Sequence, residues 1–348
     1  MSPRLLVVRL GSLGDLVHAL PAVATLRAAF PQARLDWLVE ARWQELIERN
    51  PDISNVIPVD TFAWRRGLLR AQTWGRFTAL IRSLRHTGYD AALDLQGLYK
   101  SGILAWLSGA RQRLGFQKRF LKEPGAALFY TEQVQPPANT HVIEMNLALA
   151  QAGGGREACL RFPLPTSPED EAYVEHLLRT HQLGEFFLLS PGGGWGAKCW
   201  PVERYAMLHN ALARQRGWRS VVNAGPGEES LVSEFLARAR VTQPVHFPLS
   251  LRQLVALVRR ARVLISGDTG PLHLAAALGT PAVGLYGPTD PVRNGPYPMR
   301  PGRVAVIHHR ELATITYKRE EKPAPAMLAI TVEEVLEQVA RVVEGGGG

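Results

Sequence analysis

The sequence predicts an α/β protein of two doubly wound sheet domains facing a central cleft. Three observations carry this: strand and helix patterns alternate, the alternation breaks near the middle and restarts, and several strands run into glycine-bearing polar loops. At 348 residues, 46% of them apolar, the chain can bury two large cores.

In the first half, residues 4–9 suit a buried parallel strand, 10–14 a glycine loop, and 16–30 a helix with apolar periodicity. A strand at 35–39, a helix at 42–49, a strand at 56–59, a helix at 71–87 and a strand at 91–95 continue the series. Residues 131–146 lead into a helix that runs to Gln151 and is ended by Gly153, Gly154 and Gly155. Three Gly and three Pro between 153 and 168 predict a linker, which gives domains 1–165 and 166–330. The second series runs through a helix at 168–180, a strand at 186–190, a helix at 202–216, a strand at 220–223, and helices at 228–239 and 251–260. A strand at 263–265, a helix reaching Gly279 and a strand at 283–286 follow, and 331–348 holds an amphipathic helix and a frayed tail, with packing back on the first domain as one option.

Cys159 and Cys199 stand far apart and form neither a disulfide framework nor a zinc pattern, so a reducing cytoplasm is expected. Every long apolar stretch is interrupted before the roughly 20 residues that cross a bilayer. A net charge of +9 calls for an acidic partner: nucleic acid, an anionic membrane surface or a phosphorylated substrate. Zinc-finger, KH-type and RNP-type signatures are absent, which disfavours nucleic acid.

Four loops at strand ends carry possible chemistry. In the turn at 266–273, Asp268 or Thr269 can cap the helix, Gly270 admits a ligand close to the backbone, and Pro271 suits the first helical position. The helix N-terminus then offers N–H groups to a phosphate, with His273 either a ligand contact or a packing residue. The loop at 190–201 brings Gly192, Gly193, Gly194 and Gly196 together with Lys198, an arrangement that closes on phosphate oxygens or is simply a turn with a solvated Lys. In the loop at 223–229, Glu228 or Glu229 can bridge ribose hydroxyls or merely supply a first-turn charge. In the loop at 9–18, Asp15 is either a helix N-cap or a general base, and His18 a second base or a packing residue. The third glycine of a dinucleotide fingerprint and the Walker lysine are both missing there. Basic residues Arg65, Arg66, Lys100, Lys118, Arg119 and Lys122 are solvated charges or an acceptor surface.

Gly14-Asp15, Trp64-Arg65-Arg66, residues 94–101, Lys198-Cys199-Trp200-Pro201, residues 268–273 and residues 286–291, taken in order, resemble the lipopolysaccharide heptosyltransferases of glycosyltransferase family 9. Residues 35–40 and 123–130 look more like the type I than the type II enzymes. The resemblance implies a GT-B fold of two Rossmann-like domains and an inverting transfer of L-glycero-D-manno-heptose from ADP-heptose to the Kdo region of Kdo-lipid A. It implies no cofactor and no metal, and a place at the cytoplasmic face of the inner membrane.

Carried over by position, Asp15 matches the catalytic base and Lys198 the lysine on the donor diphosphate. Asp268, Thr269, Gly270 and His273 match the donor loop, and Glu228 or Glu229 the ribose carboxylate. Arg66, Lys100 and Lys122 match acceptor contacts. Gly193 and Gly194 replace hydroxyl side chains of the enterobacterial type I pattern, so phosphate contacts there fall to the backbone. Residues 308–325 match nothing in the family pattern. Rival readings are a GT-B transferase or epimerase for another nucleotide sugar, or a non-catalytic nucleotide-binding protein.

Overall fold

The computed structural model describes residues 2–66, 71–316 and 320–345, apart from the side chain of Arg65. It divides into two compact units, Met1–Pro165 and Thr166–Gly348.

The first unit contains strands β1 (Arg4–Val8), β2 (Arg34–Glu40), β3 (Asn55–Val59), β4 (Ala91–Asp94), β5 (Gln112–Phe116) and β6 (Glu132–Val134). They form one parallel sheet in the order β3-β2-β1-β4-β5-β6. Its helices are α1 (Leu13–Ala29), α2 (Gln44–Ile47), α3 (Thr61–Arg66), α4 (Ala71–Thr87), α5 (Tyr99–Leu107) and α6 (Val142–Ala152). Leu6 and Val8 of β1, Leu38 of β2 and Leu104 of α5 meet in one core. Strands covered on both faces need near-continuous apolar runs, which is how β1 and β2 read.

The second unit contains β7 (Phe186–Ser190), β8 (Arg219–Val222), β9 (Val245–His246), β10 (Val263–Gly267), β11 (Ala282–Tyr286) and β12 (Val304–His308). Their order, β12-β11-β10-β7-β8-β9, repeats the first sheet's connectivity, and every pairing is parallel. Its helices are α7 (Pro168–Thr180), α8 (Val202–Arg216), α9 (Glu229–Arg238), α10 (Leu251–Arg260), α11 (Gly270–Leu278), α12 (Pro291–Asn294), α13 (Pro325–Ala329) and α14 (Val332–Glu344). Ser167 with Asp170, Ser250 with Gln253 and Thr331 with Glu334 form capping boxes that fix the starts of α7, α10 and α14. Gly279, at φ +78°, ends α11 in the left-handed conformation that a side chain resists.

Two expectations change. The stretch after Gly153 is not a loose linker. Cys159 N–H donates to Thr25 Oγ1 at 2.9 Å, Arg161 pairs with Asp52 at 2.6 Å, and the Asn50 amide donates to Pro163 O at 2.9 Å, so the chain is fastened to the first unit as far as Leu164. The C-terminal helix, for which a return to the first domain was one option, is part of the second unit. There Val335, Val339 and Val342 enter the core beneath β10–β12 and α8.

Candidate active site

In a doubly wound sheet, ligands bind beyond the carboxyl ends of the strands where the strand order reverses. In the first unit that point lies between β1 and β4. Arg9, just past β1, is 7% exposed. Its guanidinium donates to Leu95 O beyond β4 and pairs with Asp15 Oδ1 at 2.5 Å. Asp15 Oδ2 accepts from the Ser12 N–H at 2.7 Å and from Ser12 Oγ at 3.1 Å. Asp15 is therefore the third residue of α1 rather than its N-cap, which is Ser12. The Asp15 side chain remains 39% exposed. His18 is buried edge-on against His141 at 5.2 Å, the packing role.

The loop after β4 is tied to the same point. Leu10 N–H donates to Gln96 Oε1 at 2.7 Å. Asp94 is wholly buried and accepts from Tyr130 Oη, Ser101 Oγ and the N–H groups of Gln96 and Gly97 at 2.7–3.1 Å. Burial raises the Asp94 carboxyl above its ordinary value despite these donors.

Lys100, on α5, lies 3.8 Å from Glu40 Oε1, and buried Glu40 also receives the hydroxyl and N–H of Thr61 at the start of α3. Lys122 is exposed beside Glu123, whose carboxylate caps α5 by accepting the Tyr99 N–H at 2.6 Å. Arg66 is exposed at the end of α3, and Lys118 and Arg119 are exposed in the 3-10 turn Lys118–Phe120. The side chain of Arg65 lies outside the described residues.

In the second unit the reversal lies between β7 and β10. Lys198 Nζ reaches across it to Asp268 Oδ2 at 2.6 Å, and His273 Nε2 lies 3.2 Å from Asp268 Oδ1. All three side chains are buried or nearly so. Burial opposes ionisation of Asp268, but the hydrogen bonds and charges of His273 and Lys198 outweigh it and hold the carboxyl well below the usual carboxylate range. The expected caps of α11 are both diverted. Asp268 is taken by Lys198 and His273, while Thr269 Oγ1 meets Ser266 Oγ at 2.6 Å and makes no side-chain cap. Gly270 opens the helix with its N–H side towards the loop, and His273 is a buried partner of Asp268.

Glycines shape the loop after β7. Gly192 lets the Glu228 carboxylate lie against the backbone, since a Cβ at 192 would stand 1.9 Å from Glu228 Oε1. Glu228 Oε2 accepts the Gly225 N–H at 2.7 Å. Glu229, by contrast, is lowered below its ordinary value by its own N–H and that of Gly227. The geometry thus separates two glutamates that the sequence left equivalent. Gly193 passes beside Cys199 and Lys198, and Gly194 has open space around it. Burial and the Glu228 charge push the Cys199 thiol up to about 11, against the opposing pull of Lys198.

Residues 320–324 strap the turn that carries Lys198. Ala197 N–H donates to Glu320 O at 3.0 Å, and Ala324 N–H donates to Ala197 O at 3.2 Å. This gives part of the unmatched 308–325 segment a place, although 317–319 lie outside the described residues. Arg9, Glu40, Asp94 and Gln96 fall within segments that the sequence singles out, but it gives them no role of their own; a charged residue closing an otherwise apolar strand is the signal for Arg9 and Asp94. Among the described residues, no group of three or more His, Cys, Asp or Glu side chains could hold a metal, and no helix is long and apolar enough to cross a membrane.

Comparison with known proteins bears on the family and the fold. Residues 77–324 match the family model described as glycosyltransferase family 9 (heptosyltransferase). The chain is 33% identical over 299 residues to lipopolysaccharide heptosyltransferase 1 of Pseudomonas aeruginosa, covering 84% of this chain and 81% of that one. The Escherichia coli heptosyltransferase WaaC solved with ADP superposes with a TM-score of 0.76 at 26% identity, over 97% of this chain and 99% of that one. The same enzyme with ADP-2-deoxy-2-fluoro heptose gives 0.72 at 27% identity, over 96% and 98%. With its two doubly wound GT-B sheets and a family match spanning most of its length, this chain belongs to glycosyltransferase family 9, the heptosyltransferases.

Proposed function

We propose that the protein transfers L-glycero-D-manno-heptose from ADP-heptose to a Kdo hydroxyl of Kdo-lipid A, with inversion at the anomeric carbon. The observation that carries the donor half is the Lys198–Asp268 pair at the reversal point of the second sheet, beside the start of α11 and the Glu228 carboxylate. Lys198 and the α11 N-terminus meet the charge that grows on the departing diphosphate. The backbone of Gly193, Gly194, Thr269 and Gly270 closes on the phosphates, and Glu228 takes the ribose hydroxyls. Asp268 and His273 hold Lys198 in position.

In the first unit, Asp15 accepts the proton of the attacking hydroxyl as its oxygen bonds to the anomeric carbon and the bond to ADP breaks. Arg66, Lys100 and Lys122 bind the carboxylates and phosphates of the acceptor. Because that acceptor is lipid-borne, the enzyme works peripherally at the cytoplasmic face of the inner membrane. Purified protein supplied with ADP-heptose and Kdo-lipid A tests this through ADP release and product mass. A heptosylated product is expected. Donor turnover without acceptor points instead to an epimerase, and ADP binding without transfer to a nucleotide-binding protein.

A further inference from the structure

Helix α5 carries Tyr99, Ile103 and Trp106 at i, i+4 and i+7, one side of the helix, and they are 49%, 36% and 50% exposed. Its other side, with Ser101, Leu104 and Ala105, is buried. Trp106 packs against Phe129 at 6.4 Å, beside Leu128, which is 87% exposed. A groove of about 520 Å³ continues from Tyr99 and Ile103 to Phe62 and Trp64 of α3 and Phe77 of α4. Trp74 meets Phe77 edge-on at 6.1 Å. Of the five exposed aromatic residues among those described, Phe62, Trp74, Tyr99 and Trp106 lie here, with Tyr173 the exception.

So much clustered apolar surface exceeds the scattered exposure ordinary for a folded protein. Cations border it: Arg42 stacks on Phe62 at 4.9 Å, Lys100 adjoins Tyr99, and Lys118, Arg119 and Lys122 are exposed nearby in sequence to the Leu128 turn. Glu123 is the carboxylate that lines the groove, and it is occupied in capping α5.

From this geometry we infer that the α3–α4–α5 face of the first unit docks the protein onto an anionic phospholipid surface, with Ile103, Trp106 and Leu128 entering the headgroup boundary and Arg42, Lys118 and Arg119 holding lipid phosphates. Interfacial aromatics together with a basic border are the two signals that stable peripheral binding needs. The inference rests on the proposed lipid-borne acceptor, and it specifies which surface faces the bilayer.

The test is flotation of the full chain, without ADP-heptose, on vesicles of phosphatidylethanolamine containing about one-third phosphatidylglycerol, and on vesicles of phosphatidylcholine alone. Binding to the anionic vesicles that weakens with salt is expected, together with a loss of at least about tenfold in the doubly substituted Ile103→Ser, Trp106→Ser protein and in Leu128→Ser. The three positions are exposed, and transfer to a deacylated, water-soluble acceptor should be unchanged in these variants, which reports their folding separately. Wild-type protein that ignores anionic vesicles, or variants that bind as wild type does, overturns the inference. So does a wild-type dimer that the same substitutions dissociate, since a second copy then covers this face. Failure of the transfer assay alone overturns the proposed activity and leaves the vesicle result standing.

Discussion

Arg9 and Asp15 form a 2.5 Å ion pair in which the guanidinium is almost wholly buried and the carboxylate is still partly open to solvent. Arg9 is itself anchored on Leu95 O, so the position of Asp15 is set by β1 and by the end of β4 together. With Ser12 donating to its second oxygen, the carboxylate is held from both sides before any substrate arrives. Such preorganisation is what a base acting on a hydroxyl requires. Asp15→Ala should lower kcat by about 10²–10⁴. Calorimetric ADP affinity should stay unchanged, because the groups proposed to hold the nucleotide belong to the other unit. Turnover close to wild type would remove Asp15 from the chemistry.

Lys198 and Asp268 make a different kind of pair, buried on both sides. Removing one member of such a pair leaves the other charge uncompensated and typically costs about 3–5 kcal/mol. The folded Asp268 carboxyl is held below its unfolded value of 3.8. Its contribution is therefore complete above that value and is lost as pH falls through the lower folded value. Denaturant unfolding of wild type and Asp268→Asn should show a gap that is full at about pH 5 and narrows below about pH 4. A gap that widens on acidification below about pH 4 would contradict the charge assignment.

Glu228 rather than Glu229 lies against the β7 loop, and Gly192 is what allows it there. Glu228→Ala should weaken ADP binding by about tenfold or more, the scale of charge-assisted hydrogen bonds to a ribose. Gly192→Ala should do the same without touching the carboxylate, by forcing it out of its place. Glu229→Ala should leave affinity near wild type. Titration calorimetry with ADP separates the three, and equal losses at 228 and 229 would reopen the choice.

How far the sequence revealed this depends on the range of the interaction. Helices with strong amphipathy and their own caps, such as α7 and α10, have the limits that periodicity predicts, 168–180 and 251–260. Strands β5, β6, β9 and β12 are not legible in the sequence. Arg113 and Gly115 interrupt the apolar pattern of β5, and Glu132 and Gln133 leave β6 almost none, so these segments become strands only through pairing with a neighbour. Helix α5 was hidden because Leu98 precedes it where a polar cap is the usual signal, and Glu123 supplies the cap from 24 residues away. At the candidate site, glycines and charges at strand ends were visible as types. That Asp268 serves Lys198, 70 residues distant, instead of capping its own helix is a fact of tertiary structure.

The strap at 320–324 gives the last prediction. Gly196 lies so close beneath it that a Cβ would stand 1.6 Å from Glu321 O, a backbone atom that no side-chain rotation can move away. Gly196→Ala must therefore displace either the strap or the turn Gly196–Lys198. The strap holds that turn through Ala197 on both of its backbone groups, so loosening it frees Lys198 from its fixed approach to Asp268. Limited proteolysis should become faster within 308–325, and the KM for ADP-heptose should rise severalfold while the Kd for a Kdo acceptor stays the same. If cleavage and donor KM both match wild type, the strap does not support Lys198 in donor binding, and its contacts with Ala197 serve the fold of the second unit alone.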